Sequence, residues 1–196
     1  FISLIDSTVI YNEVQMIHNA WATPIEHKKS HVEGLLDHLL TYADTSKINY
    51  NILDDDSKPI NLLKQIAYDN FKSYINRCYG VDIDTYHTEI KGWLIHPKDG
   101  YIHPFHNHMG AMFSSVFYVL AEENDSGGEI RFHDPRHNAN RGYDENFTKH
   151  FEDKVILPKT DDVVIFPSFL YHSVSPFYSG LRIALPLDIM LIRRKD

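Results

Sequence analysis

Cysteine is nearly absent: Cys78 is the only one among 196 residues. A single thiol excludes an internal disulfide and a metal site built from thiolates. It suits a reducing compartment, so a cytoplasmic location is expected. Long apolar runs are missing as well. No stretch approaches the roughly 20 residues that a membrane-spanning helix requires, so no membrane partner is expected. The opening Phe1-Ile-Ser-Leu-Ile-Asp6 lacks the basic segment of a secretory leader, and none is expected. Clustered cations are scarce too. Lys and Arg number 19 against 27 Asp and Glu, a formal charge of −8, and only Arg193, Arg194 and Lys195 cluster. Without a basic stripe to neutralise phosphates, nucleic acid is not an expected partner. Repeats and low-complexity tracts are also absent.

What remains is ordinary globular material, 43% hydrophobic and 13% aromatic. Its length predicts one domain over residues 1–196, burying roughly two-thirds of the unfolded chain's surface. Residues 1–82 read as mainly helical support. Ser30-His-Val-Glu33 has the form of a capping box ahead of Val32, Leu35, Leu36, Leu39 and Leu40 at helical spacing. Pro59 opens a second helix whose stripe runs Ile60, Leu63, Ile66, Phe71, Tyr74, Ile75 and Cys78, with Gly80 as its C-cap. The polar stretch Thr45 to Lys58, with Asp54-Asp55-Asp56, reads as a loop.

From residue 83 the texture changes to short strands between turn signals. Strands are predicted near Thr88–Ile95, Tyr101–His108, Met112–Leu120, Gly128–Phe132, Lys154–Leu157, Asp162–Phe166, Leu170–Val174 and Leu181–Ile192. Such a succession after a helical lead indicates an α+β chain: a sandwich or jelly roll over 83–196, braced by the N-terminal helices. The polar segment Asp134–His150 is long enough to be a functional loop or lid.

Histidine is the compositional anomaly, with 13 residues. Imidazole and oxygen donors suit iron, zinc, manganese or copper. His103, His106 and His108 fall within six positions. Residues i and i+2 of a strand share a face, so His106 and His108 can offer two ligands to one ion. The bland alternative is a surface pair in a His-rich chain. His103, at odd spacing and followed by Pro104, is expected on the other face or at the strand entry, either supporting the ligands from behind or at the surface. His172, within Phe166-Pro-Ser-Phe-Leu-Tyr-His172, is either a core imidazole or a distant third ligand. Arg182 sits between apolar residues on a predicted strand. Burying its charge is costly unless it meets an anion, either a protein carboxylate or a ligand's carboxylate.

In order, His106-Asn-His108, Ser114-Ser-Val-Phe-Tyr118, Gly127-Gly-Glu-Ile-Arg-Phe132-His-Asp-Pro-Arg136, Phe166-Pro-Ser-Phe-Leu-Tyr-His172 and Arg182 resemble the Fe(II)/2-oxoglutarate-dependent oxygenases. The resemblance is to the prolyl-hydroxylase-like branch, in particular small oxygenases of marine bacteria and their phages, and it spans about residues 89–192. It implies a double-stranded β-helix of the jelly-roll or cupin-like kind, Fe(II) as the metal and 2-oxoglutarate as cosubstrate. It implies metal ligation by His106 and His172, a grip by Arg182 on the far carboxylate of 2-oxoglutarate, and a second hydrogen bond to that carboxylate from Tyr118, with Ser114 beside it. The implied reaction is a dioxygenase hydroxylation of a peptide residue or small molecule that consumes O2; a phage origin would put it in the host cytoplasm.

One position departs from the family's pattern. Where a carboxylate ligand is usual, this chain has His108, so a metal held there carries one more net positive charge. Asp134 is the alternative source of a carboxylate. Two rivals stand beside the oxygenase reading: a cupin-like metal enzyme that uses no 2-oxoglutarate, and a non-catalytic jelly-roll binding module. The second requires that His106, His108 and His172 do not meet in space.

Overall fold

A computed structural model describes residues 25–43, 51–97, 100–122, 127–134, 153–178 and 180–194. Nine strands and two α-helices occur among them: β1 Glu26–Lys29, α1 Leu35–Ala43, α2 Lys58–Tyr79, β2 Tyr86–Gly92, β3 Tyr101–His106, β4 Phe113–Ala121, β5 Ile130–Phe132, β6 Lys154–Ile156, β7 Asp162–Pro167, β8 His172–Phe177 and β9 Arg182–Arg193. Short 3-10 turns at Ile52–Asp54 and Ile83–Thr85 flank α2. All strand pairs are antiparallel. One sheet has the order β1-β7-β4-β9-β2 and the other β3-β8-β5-β6. The α+β double-stranded β-helix expected from the sequence is the fold observed.

The five-stranded sheet works on both faces because strand side chains alternate. On β9, Ile183, Leu185, Leu187, Ile189 and Leu191 join Val163 and Ile165 of β7 and Phe117 of β4 in a core packed against the helices. From α2, Ile60, Leu63, Ala67, Phe71, Tyr74 and Ile75 are buried into that core. They recur at the three- and four-residue spacing that gives a helix one apolar face. The Tyr74 ring meets Phe113 of β4 edge-on at 5.9 Å. The alternate residues, Val116 and Tyr118 of β4, Val164 and Phe166 of β7 and Ala184 of β9, face the smaller sheet and form a second core with Ile130 and Phe132.

Three expectations change locally. The Ser30–Glu33 capping box does not start the first helix: residues 33–34 form a turn with Gly34 at φ +72°, and α1 begins at Leu35. Instead, the Ser30 amide donates to Asp161 and its hydroxyl accepts from Asn70. The helical half also contains a strand, β1, which pairs with β7 along the edge of the large sheet. The strand expected over 101–108 ends at His106. The second helix follows the sequence reading, with Pro59 in its first turn and Gly80 left-handed at φ 65° as its cap. The Asp134–His150 loop lies outside the described residues beyond position 134. Among the described residues, no helix is long and apolar enough to cross a membrane.

The polar loop before α2 is tied down through Asp55. Its carboxylate accepts from the Tyr42 hydroxyl at the end of α1, from the Ser57 amide at 2.6 Å and from His38 at 2.9 Å. The Tyr42 bond, then the Ser57 amide, hold the carboxyl well below its ordinary value of 3.8. A depressed carboxyl stabilises the fold above its unfolded value and loses that contribution as pH falls below it. Asp55→Asn is therefore expected to cost about 1–2 kcal/mol at neutral pH. Its deficit against wild type should narrow once pH drops below 3.8; urea midpoints at neutral and acid pH measure both.

Candidate active site

Three histidines reach one point from three places in the chain. His106 ends β3 and sits directly across from His172, the first residue of β8. His108 lies past the strand, where its amide donates to the Ser168 carbonyl in the turn after β7 at 3.1 Å. The ring centroids are 4.2 Å apart for His106 and His172 and 5.1 Å for His108 and His172. Each Nδ1 is committed to an acceptor: His106 donates to the Pro104 carbonyl at 2.7 Å, His172 to the Leu170 carbonyl at 3.0 Å and His108 to the Asp188 carboxylate at 2.8 Å. Carbonyl and carboxylate oxygens accept only, so all three rings carry the proton on Nδ1 and leave the lone pair on Nε2.

The Nε2 atoms of His108 and His172 are 3.3 Å apart. Two lone pairs facing each other so closely repel unless a cation or proton lies between them. Ligands about 2.1 Å from a common ion stand about 3.0 to 3.4 Å apart for right-angle to tetrahedral arrangements. One ligand atom from each of the three residues lies within 4.8 Å of the others, and among the described residues this is the group that could hold a metal. The donor set fits a divalent transition metal. Burial pushes His172 down to about 3 and pushes His106 below its ordinary 6.5, keeping both neutral and ready to ligate at physiological pH. The surface-histidine rival required that these residues not meet.

The same cavity contains a buried cation. Arg182 opens β9, is 5% exposed, and lines the cavity with Tyr118, Phe177 and the histidines. Its Nη1 donates to the Gly128 carbonyl at 2.7 Å, and its guanidinium carbon lies 5.5 Å and 5.1 Å from the ring centroids of Tyr118 and Phe177. Its Nε has no hydrogen-bond partner among the described residues. No described carboxylate forms a salt bridge with it either. Burial pushes its pKa below the usual value, against an opposing attraction from Tyr118 and from the Glu129 carboxylate, which is near without forming a salt bridge. Of the two partners left open by the sequence, this favours a ligand's carboxylate.

The Gly127-Gly128 pair makes room for the guanidinium. Both have positive φ, 85° and 83°. A Cβ on Gly127 would fall 2.0 Å from the Pro176 carbonyl, and one on Gly128 would fall 2.1 Å from Arg182 Nη1. Only glycine suits either position.

Other expected site residues take different places. Tyr118 is buried beside Arg182 in the cavity. Ser114 does not line it: its hydroxyl donates to Asp188 at 2.6 Å and lies 2.8 Å from the Ser168 hydroxyl, behind His108. Asp134 is buried, with its amide donating to the Asp153 carboxylate at 3.2 Å, and is not part of the histidine group. His103 faces inward, contrary to the spacing argument. Between His103 and His106 the pairing with β8 slips by one residue. This bulge lets residues three apart share a face, bringing the His103 and His106 rings to 4.3 Å. Sequence reasoning also missed Tyr101, Trp93 and Asp188. For Asp188 a signal existed, since Arg182, Ala184, Pro186 and Asp188 fall on one face of a strand by alternation.

The profile of the family described as "Putative 2OG-Fe(II) oxygenase" matches residues 91–188, half of the chain. A search of curated proteins gave no significant match. Among solved structures, a Pseudomonas putida prolyl-4-hydroxylase aligns with TM-score 0.60 at 16% identity, covering 92% of this chain and 94% of its own. The 2OG complex of a viral collagen prolyl hydroxylase from Paramecium Bursaria Chlorella virus-1 aligns at 0.56 and 17%, covering 86% and 96%. A Trichoplax adhaerens prolyl hydroxylase, in complex with a hypoxia inducible factor oxygen degradation domain peptide fragment, aligns at 0.57 and 18%, covering 97% and 94%. At these identities the likeness is one of fold.

The neutral His172 has a consequence for stability. Its folded value, about 3, lies below the ordinary 6.5. The unfolded chain therefore gains a proton that the folded chain refuses, and stability drains as pH falls from 6.5 toward 3. In chelator-treated protein, His172→Gln is expected to make the pH dependence shallower by up to about 1.4 kcal/mol per pH unit. Denaturant midpoints across that range test it, and parallel slopes for the two proteins would refute it.

Proposed function

The chain belongs to the 2OG-Fe(II) oxygenase family, and from that premise we propose a hydroxylase whose Fe(II) is held by His106, His108 and His172 through Nε2. The observation carrying this reading is the pairing of those converging lone pairs with the buried Arg182, whose Nε has no hydrogen-bond partner among the described residues, in one cavity. Fe(II), when bound, supplies the redox chemistry by which O2 oxidises 2-oxoglutarate and the substrate together. Arg182 holds the far carboxylate of 2-oxoglutarate bidentately, where a planar guanidinium and carboxylate match in shape and charge. Tyr118 adds a hydroxyl donor beside it. Desolvation pushes the Tyr118 phenol well above its ordinary value, so it stays protonated and able to donate.

The cavity walls are otherwise apolar: Ile95, Val116, Ile130, Val174 and Phe177 line it. Such walls exclude water and strengthen the Arg182–carboxylate attraction by lowering the local dielectric. Trp93, Tyr101 and His103 also line the cavity and supply aromatic surface and polar tips. We assign a peptide residue as the substrate class, the chemistry represented by the peptide-bound Trichoplax adhaerens neighbour.

Aerobic incubation with Fe(II), 2-oxoglutarate and a peptide library tests the reading, scored by succinate release and by a product one oxygen atom heavier. Arg182→Met is expected to raise the KM for 2-oxoglutarate about 10- to 100-fold, the loss of a charge-assisted bidentate contact. His172→Ala should abolish turnover and iron binding together. Gly128→Ala, which drives a methyl into the guanidinium, should behave like Arg182→Met toward 2-oxoglutarate while retaining iron. Stoichiometric iron with no 2-oxoglutarate consumption under any substrate would sink the proposal.

A further inference from the structure

We propose that Asp188 supplies, through His108, the negative charge that the metal centre lacks at position 108. The inference deepens the three-histidine reading above and rests on it. Three neutral imidazoles leave a divalent ion its full double charge, whereas two imidazoles and a carboxylate would halve it. Asp188 restores that charge one hydrogen bond away. Its Oδ1 accepts from His108 Nδ1 at 2.8 Å, and the opposite nitrogen of the same ring is the one turned toward the metal position. A carboxylate on the far nitrogen draws the ring toward imidazolate, making Nε2 a stronger donor and fixing the ring's orientation.

The surroundings favour this role. The His108 side chain is 7% exposed and Asp188 21%, so water screens their attraction little. Trp93 lies over the His108 ring at 5.7 Å. The same carboxylate oxygen accepts from Ser114 at 2.6 Å; because Ser114 spends its proton there, Ser168 donates to Ser114 across 2.8 Å. Two buried hydroxyls thus steer one carboxylate onto one imidazole. Neither His106 nor His172 has such a partner, since both donate to neutral backbone carbonyls. The charged partner stands behind the one ligand that occupies the carboxylate's place. Asp188 acts through His108 and is a positioning residue.

The test uses the full chain without oxygen and Co(II) alone as the probe, read by affinity and by its visible spectrum. Asp188→Asn keeps the size of the side chain and an acceptor for His108 while removing the charge. It is expected to weaken Co(II) binding about 10- to 100-fold and shift the visible bands, with the metal-free melting temperature reporting folding separately. In a His108→Asp background, where the ligand itself carries the charge, Asp188→Asn should change affinity less than about threefold, as a double-mutant cycle requires. Should Asp188→Asn fail to melt cooperatively without metal, Asp188→Glu displaces the carboxylate by one methylene and is expected to weaken binding likewise. Wild-type affinity and an unchanged spectrum in Asp188→Asn would overturn the proposal, as would an equal loss in both backgrounds. His106→Ala and His172→Ala separate the two readings. If they leave Co(II) binding intact, the three-histidine centre itself fails; if they abolish it while Asp188→Asn is silent, only the role of Asp188 fails.

Discussion

A strand shows each side chain to one face only, and the large sheet depends on that constraint throughout. Along β9, five successive odd-numbered residues from Ile183 to Leu191 enter the core beneath the helices. The residues between them carry the site's chemistry: Arg182 at one end and Asp188 at the other, with Ala184 and Pro186 lining the cavity. A slip of one residue would bury the acid among leucines and turn the apolar set into the cavity. The helix-side core therefore holds the register that holds the site. Its anchor is α2, whose stripe from Ile60 to Ile75 packs against those same odd-numbered residues.

Electrostatics divides the cavity into two kinds of place. Around the three histidines, burial favours the neutral forms of His106 and His172, and a proton acceptor orients each ring, so the cavity offers lone pairs. At Arg182 it offers charge with little to compensate it. A buried guanidinium with one backbone bond and two aromatic neighbours costs several kcal/mol unless an anion completes it. That cost is met on folding, and an anion bound at this position would relieve it. Gly127 and Gly128 are part of the same arrangement, because any side chain there would occupy the guanidinium's space or the strand's path.

How far the sequence could be read varied with the range of the interaction involved. The second helix was legible from its stripe, its proline and its glycine cap, all local signals. Strand positions were legible because turn residues punctuate them, with ends off by a few residues. The Ser30–Glu33 capping pattern misled: Ser30 was drawn to the Asp161 backbone, a partner 131 positions away. His103 misled in the opposite sense. Its spacing placed it outward, and a bulge at Pro104–Phe105 reversed it. A bulge depends on how β3 and β8 meet, so no count along one strand reveals it.

By itself the sequence determined the helical lead, the succession of strands, the scarcity of thiols and basic clusters, and the ordered set His106, His108, His172 and Arg182, because each rests on composition or spacing within one segment. Which histidines converge was decided only by tertiary structure, since His106 meets His172 through strand pairing and His108 reaches them from beyond a strand's end. The tertiary structure also decided the inward turn of His103, the absence of a salt bridge to Arg182 among the described residues, and the Asp188 carboxylate behind His108. Those depend on which atoms face one another across 50 to 80 residues of chain, and a one-dimensional pattern carries the alternation of a strand but not the identity of what lies opposite.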